Sequence, residues 1–520
     1  MEKSIREKRT SFFVSVFIIA MLARGAVLFL SLDSFNDDPD AYRSLAENMY
    51  AYGVFGEKDV ATAFRPPLYP ATLTALVPLR TPTERPTKLN SVCQNANRSR
   101  SSNLKTITTF FNQKLALSRN ASIALWHWIL GVATVALAYA LALKLDLSRP
   151  LAAFAALLVA IDPILLQQSR LIMTETLAAF FAVSLLLSTI AVVQRRQKKA
   201  AFITYFLLGT LYGLSTLCRP TFFLFLALTL LNLILIESRS FQTSRQPSDV
   251  GGQVPDARNL SPTSCCVRIL CFILGCACCV APWSARNYRV FGKPILTTTH
   301  GGYTLLLANN PEIYQHYATA SSPWVLWNPD EFFKRNKRDY EEAIAKANID
   351  SPEKKELFQD KWSRQTALST IKGSPSIFAY SCFIRFGELW RFLPNDVDSK
   401  SLNSARGQAI RALGTTIDRS LLKNGARYTI AAFYLIEFIV AFIGCMKLYR
   451  MRRFDANRLP LISSPFVWGF LLILSVQIPH LLYWTNMRMR APLEIFLPIL
   501  VAVAFFSNRA IPKAQNNCNQ

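Results

Sequence analysis

Apolar residues gather into long runs instead of marking one face of soluble helices or strands. The first run, Ser11 to Leu32, follows Lys3, Arg6, Lys8 and Arg9. That is the pattern of a signal anchor with a cytoplasmic N-terminus. Further runs fall at roughly 121–143, 150–167, 172–193, 201–217, 222–236, 266–282, 428–448, 465–484 and 491–507. Runs of about 17 residues or more reach across bilayer hydrocarbon. The pattern therefore predicts an all-α polytopic membrane protein with about ten transmembrane helices and both termini cytoplasmic.

One shorter run, 66–79 (PPLYPATLTALVPL), needs a decision. As a span it would move Arg195–Lys199 and Lys447–Arg453 outside, against the preference of basic loops for the cytoplasm. Its prolines also suit a re-entrant or interfacial helix better than a span. Residues 33–120 then form a long first outer loop, in which 81–120 reads as a low-complexity insertion. The chain divides into an N-terminal transmembrane module (1–282), an extracytoplasmic section (283–427) and C-terminal transmembrane helices (428–520). Within the middle section, 329–372 is charged and helix-like. Segment 375–393 is apolar but carries Arg385, Glu388 and Arg391, as an interfacial helix does. Residues 237–264 read as a polar cytoplasmic linker.

Composition supports this reading. Of 520 residues, 51% are hydrophobic and 12% aromatic, and the mean hydropathy is +0.22. Most soluble enzyme folds and intrinsic disorder are excluded. The 58 Lys and Arg against 33 Asp and Glu give a net charge of +25. These charges are scattered between apolar runs with no domain-sized basic block, so no nucleic-acid partner is expected. Six of eleven cysteines (Cys265, Cys266, Cys271, Cys276, Cys278 and Cys279) crowd one apolar run, where Cys acts as a small packing residue.

The exceptions to the charge rule carry the chemistry. Arg170, Arg219, Arg286, Arg488 and Arg490 all fall at the expected outer ends of spans. One such arginine is explained by snorkelling to lipid headgroups. The set together points to an anion site, because the guanidinium fork matches phosphate. Acids fall on the same face: Asp33, Asp37, Asp38 and Asp40 follow the first span, and Glu175 begins a later one. A carboxylate there suits a general base or a ligand for a divalent cation, although Asp-Pro-Asp is also ordinary turn chemistry. Arg24, inside the first run, calls for a buried partner, for which one of these acids is the natural candidate.

The run Asp38-Pro-Asp-Ala-Tyr42, then Gly53, then Arg65-Pro-Pro-Leu-Tyr-Pro70 resembles the first outer loop of GT-C glycosyltransferases. The nearest group is the dolichyl-phosphate-mannose–protein mannosyltransferase-like one, which includes the aminoarabinose transferases of lipid A. The resemblance continues through Pro163, Ser169, Thr174-Glu175, Arg219-Pro220, Ala281-Pro-Trp-Ser-Ala-Arg286-Asn287, Gly301-Gly302, Ala308-Asn-Asn-Pro311 and Arg488-Met-Arg490-Ala-Pro492. It implies an inverting hexosyl- or pentosyltransferase of the plasma (inner) membrane. Such an enzyme moves sugar from a polyprenyl-phosphate donor to a glycan, lipid or protein hydroxyl on the extracytoplasmic face. Asp38 takes the place of the residue that orients or deprotonates the acceptor, with Asp37 and Asp40 as close rivals. Arg65, Arg219, Arg286, Arg488 and Arg490 are the implied donor-phosphate ligands, with Tyr42, Glu175 and His300 assisting. In the aminoarabinose transferases Glu-Lys precedes the proline motif. Here Phe64-Arg65 does, so a divalent metal ion, the one cofactor implied, would need Asp40, Glu175 or His300.

A transporter or flippase of lipid-linked saccharides would use similar buried charges, but inverted repeats are not visible. An O-antigen ligase or polymerase shares the substrates but not the acidic motif after the first span. A scaffold has no need of the arginines.

Overall fold

The computed structural model describes residues 2–79, 118–194, 201–243, 262–322, 324–325, 327–394, 419–453 and 464–506. Most of the insertion at 81–120 and of the linker at 237–264 lies outside the described residues.

The described chain is overwhelmingly helical, with one two-stranded hairpin pairing Gly56–Glu57 (β1) with Val60–Ala61 (β2). Helix α1 (Glu2–Leu30) leads through a 3₁₀ turn (Leu32–Asn36) to α2 (Tyr42–Tyr52) and α3 (Leu68–Thr74). Then come α4 (Arg119–Lys144), α5 (Arg149–Ile161), α6 (Pro163–Ser169), α7 (Glu175–Gln194), α8 (Ala201–Cys218), α9 (Thr221–Thr243) and α10 (Pro262–Phe291). The middle section holds α11 (Gly301–Ala308), α12 (Pro311–Thr319), α13 (Asp330–Lys346), α14 (Pro352–Gly373) and α15 (Pro375–Leu389). The chain returns through α16 (Arg419–Arg453), α17 (Val467–Leu482) and α18 (Leu497–Ala504).

Every apolar run predicted as a span coincides at least in part with one or two of these helices, but the count of ten does not follow. Six described helices are long and apolar enough to cross a bilayer, and seven are if α5 and α6 form one broken span. Those two are bent by 49° at Asp162-Pro163. Pro163 cannot donate to the helix, and Asp162 caps a new one by accepting from Leu165 N–H at 2.7 Å. The run at 491–507 is shortened similarly: only α18, eight residues long, is helical. Segment 66–79 forms α3 and a 3₁₀ turn, far too short to span. The charged stretch 329–372 forms α13 and α14, and the apolar segment after it forms α15.

Close approach of backbones fixes the seam between α8 and α10. A Cβ on Gly209 would stand 1.9 Å from Phe272 O, and one on Gly275 would stand 2.0 Å from Phe206 O. Small residues are what allow this contact. Cys276 and Cys279 serve it by packing on Gly213, whereas Cys266 and Cys278 are exposed and take no part in the core. The buried pair Glu237–Arg268, at 3.2 Å, adds a polar tie between α9 and α10. Arg24 is also buried, and its partner is not a first-loop acid. Its Nη2 donates to Val159 O of α5 at 3.0 Å, with Asp162 the carboxylate acting on it. The first-loop acids follow the end of α1, while Arg24 is nearly two turns back along that helix.

Candidate active site

The acidic loop is built as a pre-set turn. Arg43, buried in the first turn of α2, donates to Phe35 O and Asn36 O and so fixes the preceding 3₁₀ turn. Ala41 N–H closes back on Asp38 O at 3.0 Å, and Ala41 takes the left-handed conformation at φ 57°. For a residue with a Cβ that conformation costs about 1–2 kcal/mol. It persists because both neighbouring acids are tied. Asp38 Oδ2 accepts Ser44 N–H at 3.0 Å, and Asp40 pairs with Arg65 at 2.7 Å. The two acids differ in what is left over: Asp38 Oδ1 is buried and has no hydrogen-bond partner. Asp37 is exposed.

Arg65 stands at the centre of a second group. Its guanidinium meets His300 Nε2 at 3.5 Å and lies over the rings of Phe64 and Tyr42. Glu356 of α14 secures this strip by accepting Thr62 Oγ1–H, Ala63 N–H and Thr299 Oγ1–H. Burial and the Arg65 charge push the His300 imidazole down to about 3. The ring is therefore neutral at physiological pH and accepts from Arg65. An unfolded histidine takes up its proton near 6.5, so the native state binds fewer protons between 6.5 and about 3. Stability rises with pH across that window and is lost as pH falls through it. Thermal unfolding of detergent-solubilised protein is expected to show this slope, and His300→Gln to flatten it. An unchanged slope in the variant would contradict it.

The third group is a clamp of two arginines on one acid. Glu175, buried at the start of α7, faces Arg219 at 3.6 Å and Arg488 at 3.7 Å. Both distances exceed hydrogen-bond length. Glu175 Oε2, Arg219 Nη1 and Arg488 Nε have no hydrogen-bond partner. Among the described residues, the far ends of the guanidiniums donate to the sulfurs of Met489 and Met173. Guanidiniums held this way are poorly satisfied and ready for an oxyanion.

Tyr42 and Tyr69 join the groups. Their rings meet edge to face at 5.2 Å. Burial raises the Tyr69 phenol well above its ordinary range, with Tyr42, Asp38 and Glu175 all adding to the rise. Tyr69 O–H also donates to His127 Nε2 at 2.8 Å, because His127 Nδ1–H is committed to Ser169 O at 2.6 Å. This chain pins α3 to α4 and to the end of α6.

The expected set of five arginines does not converge on one point. Arg286 donates to Thr62 O and Phe55 O and packs on Trp283, holding the β1–β2 hairpin. Arg490, fully buried, is paired to Glu494 and stacked on Tyr434 at 4.3 Å. Arg170 contributes its backbone carbonyl, which accepts from Ser34 Oγ at 2.8 Å. Asn309, another motif residue, is structural: its Nδ2 donates to Leu305 O and Leu482 O, tying α11 to the end of α17. His127 and His480 escaped the sequence reading. His480 is buried within reach of the Arg219 charge, and only its place in an apolar run marked it.

The residues around Arg65 do not fit a cation. Asp40 is taken by Arg65, and the His300 nitrogen that would ligate faces a guanidinium. Among the described residues, the acids or histidines that do gather at ligand spacing are Asp162, Glu437 and Glu494.

A helical bundle of this kind, with six or seven described helices long and apolar enough to cross a bilayer, is that of an integral membrane protein. The family model of the dolichyl-phosphate-mannose-protein mannosyltransferases matches residues 102–251 of the chain. Among solved structures, the chain is similar to the oligosaccharyltransferase of Archaeoglobus fulgidus. Against the apo form the identity is 13% and the TM-score 0.45, covering 95% of this chain and 50% of that one. Against the complex with an inhibitory peptide and a dolichol-phosphate the values are 13% and 0.43, with 95% and 50% covered. Against the complex with Zn and sulfate they are 15% and 0.42, with 94% and 48% covered. The chain thus spans about half the length of these structures. No curated protein matches it.

Proposed function

We propose that the protein is an inverting glycosyltransferase that moves a sugar from a polyprenyl-phosphate donor to an acceptor hydroxyl on the extracytoplasmic face. The observation that carries this reading is the Glu175 clamp, in which two arginines hold unmet donors beside an acidic loop. In the reaction, Asp38 Oδ1 takes the proton of the acceptor hydroxyl. The acceptor oxygen bonds to the anomeric carbon, and the bond from that carbon to the phosphate oxygen breaks. Its electron pair leaves with the polyprenyl phosphate. Arg219 and Arg488 stabilise that phosphate more as its charge develops, which is the condition for lowering a barrier. Glu175 keeps the two guanidiniums aimed and apart. Arg65 is a positioning residue that holds Asp40, and through it the loop. α3, pinned by Tyr69, would lie along the membrane surface where the lipid tail passes. We place the catalytic module in 1–282, completed by Arg488 from the C-terminal section, and acceptor selection in 283–427.

A deletion strain is expected to accumulate a lipid-linked sugar and lose one class of glycoconjugate by mass spectrometry. Wild-type protein restores both, and an Arg219→Gln/Arg488→Gln protein present at equal level falls short by about 10²- to 10³-fold in rate. A deletion strain with unchanged lipid-linked sugars and glycoconjugates would overturn the proposal.

A further inference from the structure

Apart from Asp38 and Glu175, three acids from separate elements meet in the protein interior. Asp162 lies at the α5–α6 break, Glu437 in mid-α16 and Glu494 just before α18. Their carboxylate oxygens come within 4.8 Å of one another, and all three residues are buried. Asp162 accepts from Leu165 N–H and from Tyr434 O–H. Glu494 accepts from Arg490 on one oxygen only. Its other oxygen and both oxygens of Glu437 have no hydrogen-bond partner.

This is an unbalanced arrangement. Unpaired carboxylates are strongly disfavoured away from water. Three acids outnumber the two guanidiniums whose charge reaches them, Arg490 and Arg24. Arg24 is in addition committed to Val159 O. We propose that Asp162, Glu437 and Glu494 bind one hard divalent cation of the Mg2+, Mn2+ or Ca2+ class. All-oxygen carboxylate donors select that class over zinc or copper. The spacing allows it as well: oxygens that share one calcium ion stand no more than about 4.6–5.2 Å apart. Such an ion joins α5–α6, α16 and the segment before α18. It therefore fixes the Met487–Arg490 turn, from which Arg488 reaches Glu175. Its role is structural, and it touches none of the groups assigned to sugar transfer.

The test uses the full chain in detergent, stripped with EDTA, loaded with Mn2+ and desalted. Elemental analysis and low-temperature electron paramagnetic resonance are expected to find about one Mn2+ per chain, displaced by excess Ca2+. Glu437→Gln removes an acid that has no hydrogen-bond partner, so it folds and loses the ion. Asp38→Asn keeps the ion, which separates this site from the acidic loop. Mn2+ raises the unfolding midpoint of the wild type and not of Glu437→Gln. Should Glu437→Gln fail to accumulate, Glu437→Asp must weaken Mn2+ binding by at least about tenfold. Equal Mn2+ in wild type and variant, or none in wild type, overturns the proposal. The latter result means that the acids are balanced by shared protons.

Discussion

Asp38→Asn abolishes sugar transfer, with a loss of at least about 10²- to 10⁴-fold, while the protein remains folded and at wild-type level in the membrane. The asymmetry of the side chain is the reason. Its Oδ2 accepts Ser44 N–H, and an amide oxygen accepts that bond equally well, so the turn and the start of α2 survive. The other oxygen, buried and without a partner, becomes an NH₂ group that cannot take a proton. Asp40→Asn has a different signature. It weakens the Arg65 pair, whose side chains are only 19% and 21% exposed, and so loosens the loop without removing a base. Its loss is expected to be smaller and to respond to salt. The check is transfer in membranes matched for protein content by immunoblot. Full activity of Asp38→Asn would sink its assignment as base and pass the role to Asp37 or Asp40.

The largest stability effect is expected at Arg490. Its side chain and that of Glu494 are both 0% exposed, and Arg490 also donates to Leu389 O and Arg391 O. Arg490→Met removes the guanidinium that pairs Glu494 in the interior, which costs about 3–5 kcal/mol. Two carbonyls lose their donor as well. The expected result is little folded protein, read as aggregation in fluorescence-detected size exclusion and a lowered unfolding midpoint. The double variant Arg490→Met/Glu494→Gln should recover much of the loss, because replacing both partners of a buried pair is far milder than removing one. A single variant as stable as wild type would show that Arg490 holds nothing together.

Both predictions concern residues that the sequence had singled out, yet it assigned them unequal roles. Spans were legible because each is a continuous run of apolar residues, a local property. The bend at Asp162-Pro163 was equally local, since an acid followed by proline is a helix start, but the long run around it masked that signal. What was not legible is pairing at long range. Nothing in the sequence says that Arg219, Arg488 and Glu175 face one another while Arg490 turns away to Tyr434 and Glu494. The i,i+4 spacing of Arg490 and Glu494 was the available clue, and on a helix that spacing commonly means a pair. Glu437 was passed over because a single acid barely lowers the hydropathy of a long run. Its position within that run was itself the sign of function. The Tyr69–His127–Ser169 chain links residues 42 and 58 positions apart, a separation at which no periodicity reports contact.

The close seam between α8 and α10 bears on how the bundle can move. Where Gly209 and Gly275 bring backbone against backbone, there are no long side chains to swing aside. Parting those helices would mean shifting both along their length. The bundle thus does not open along this seam, and α8 and α10 act as one fixed wall.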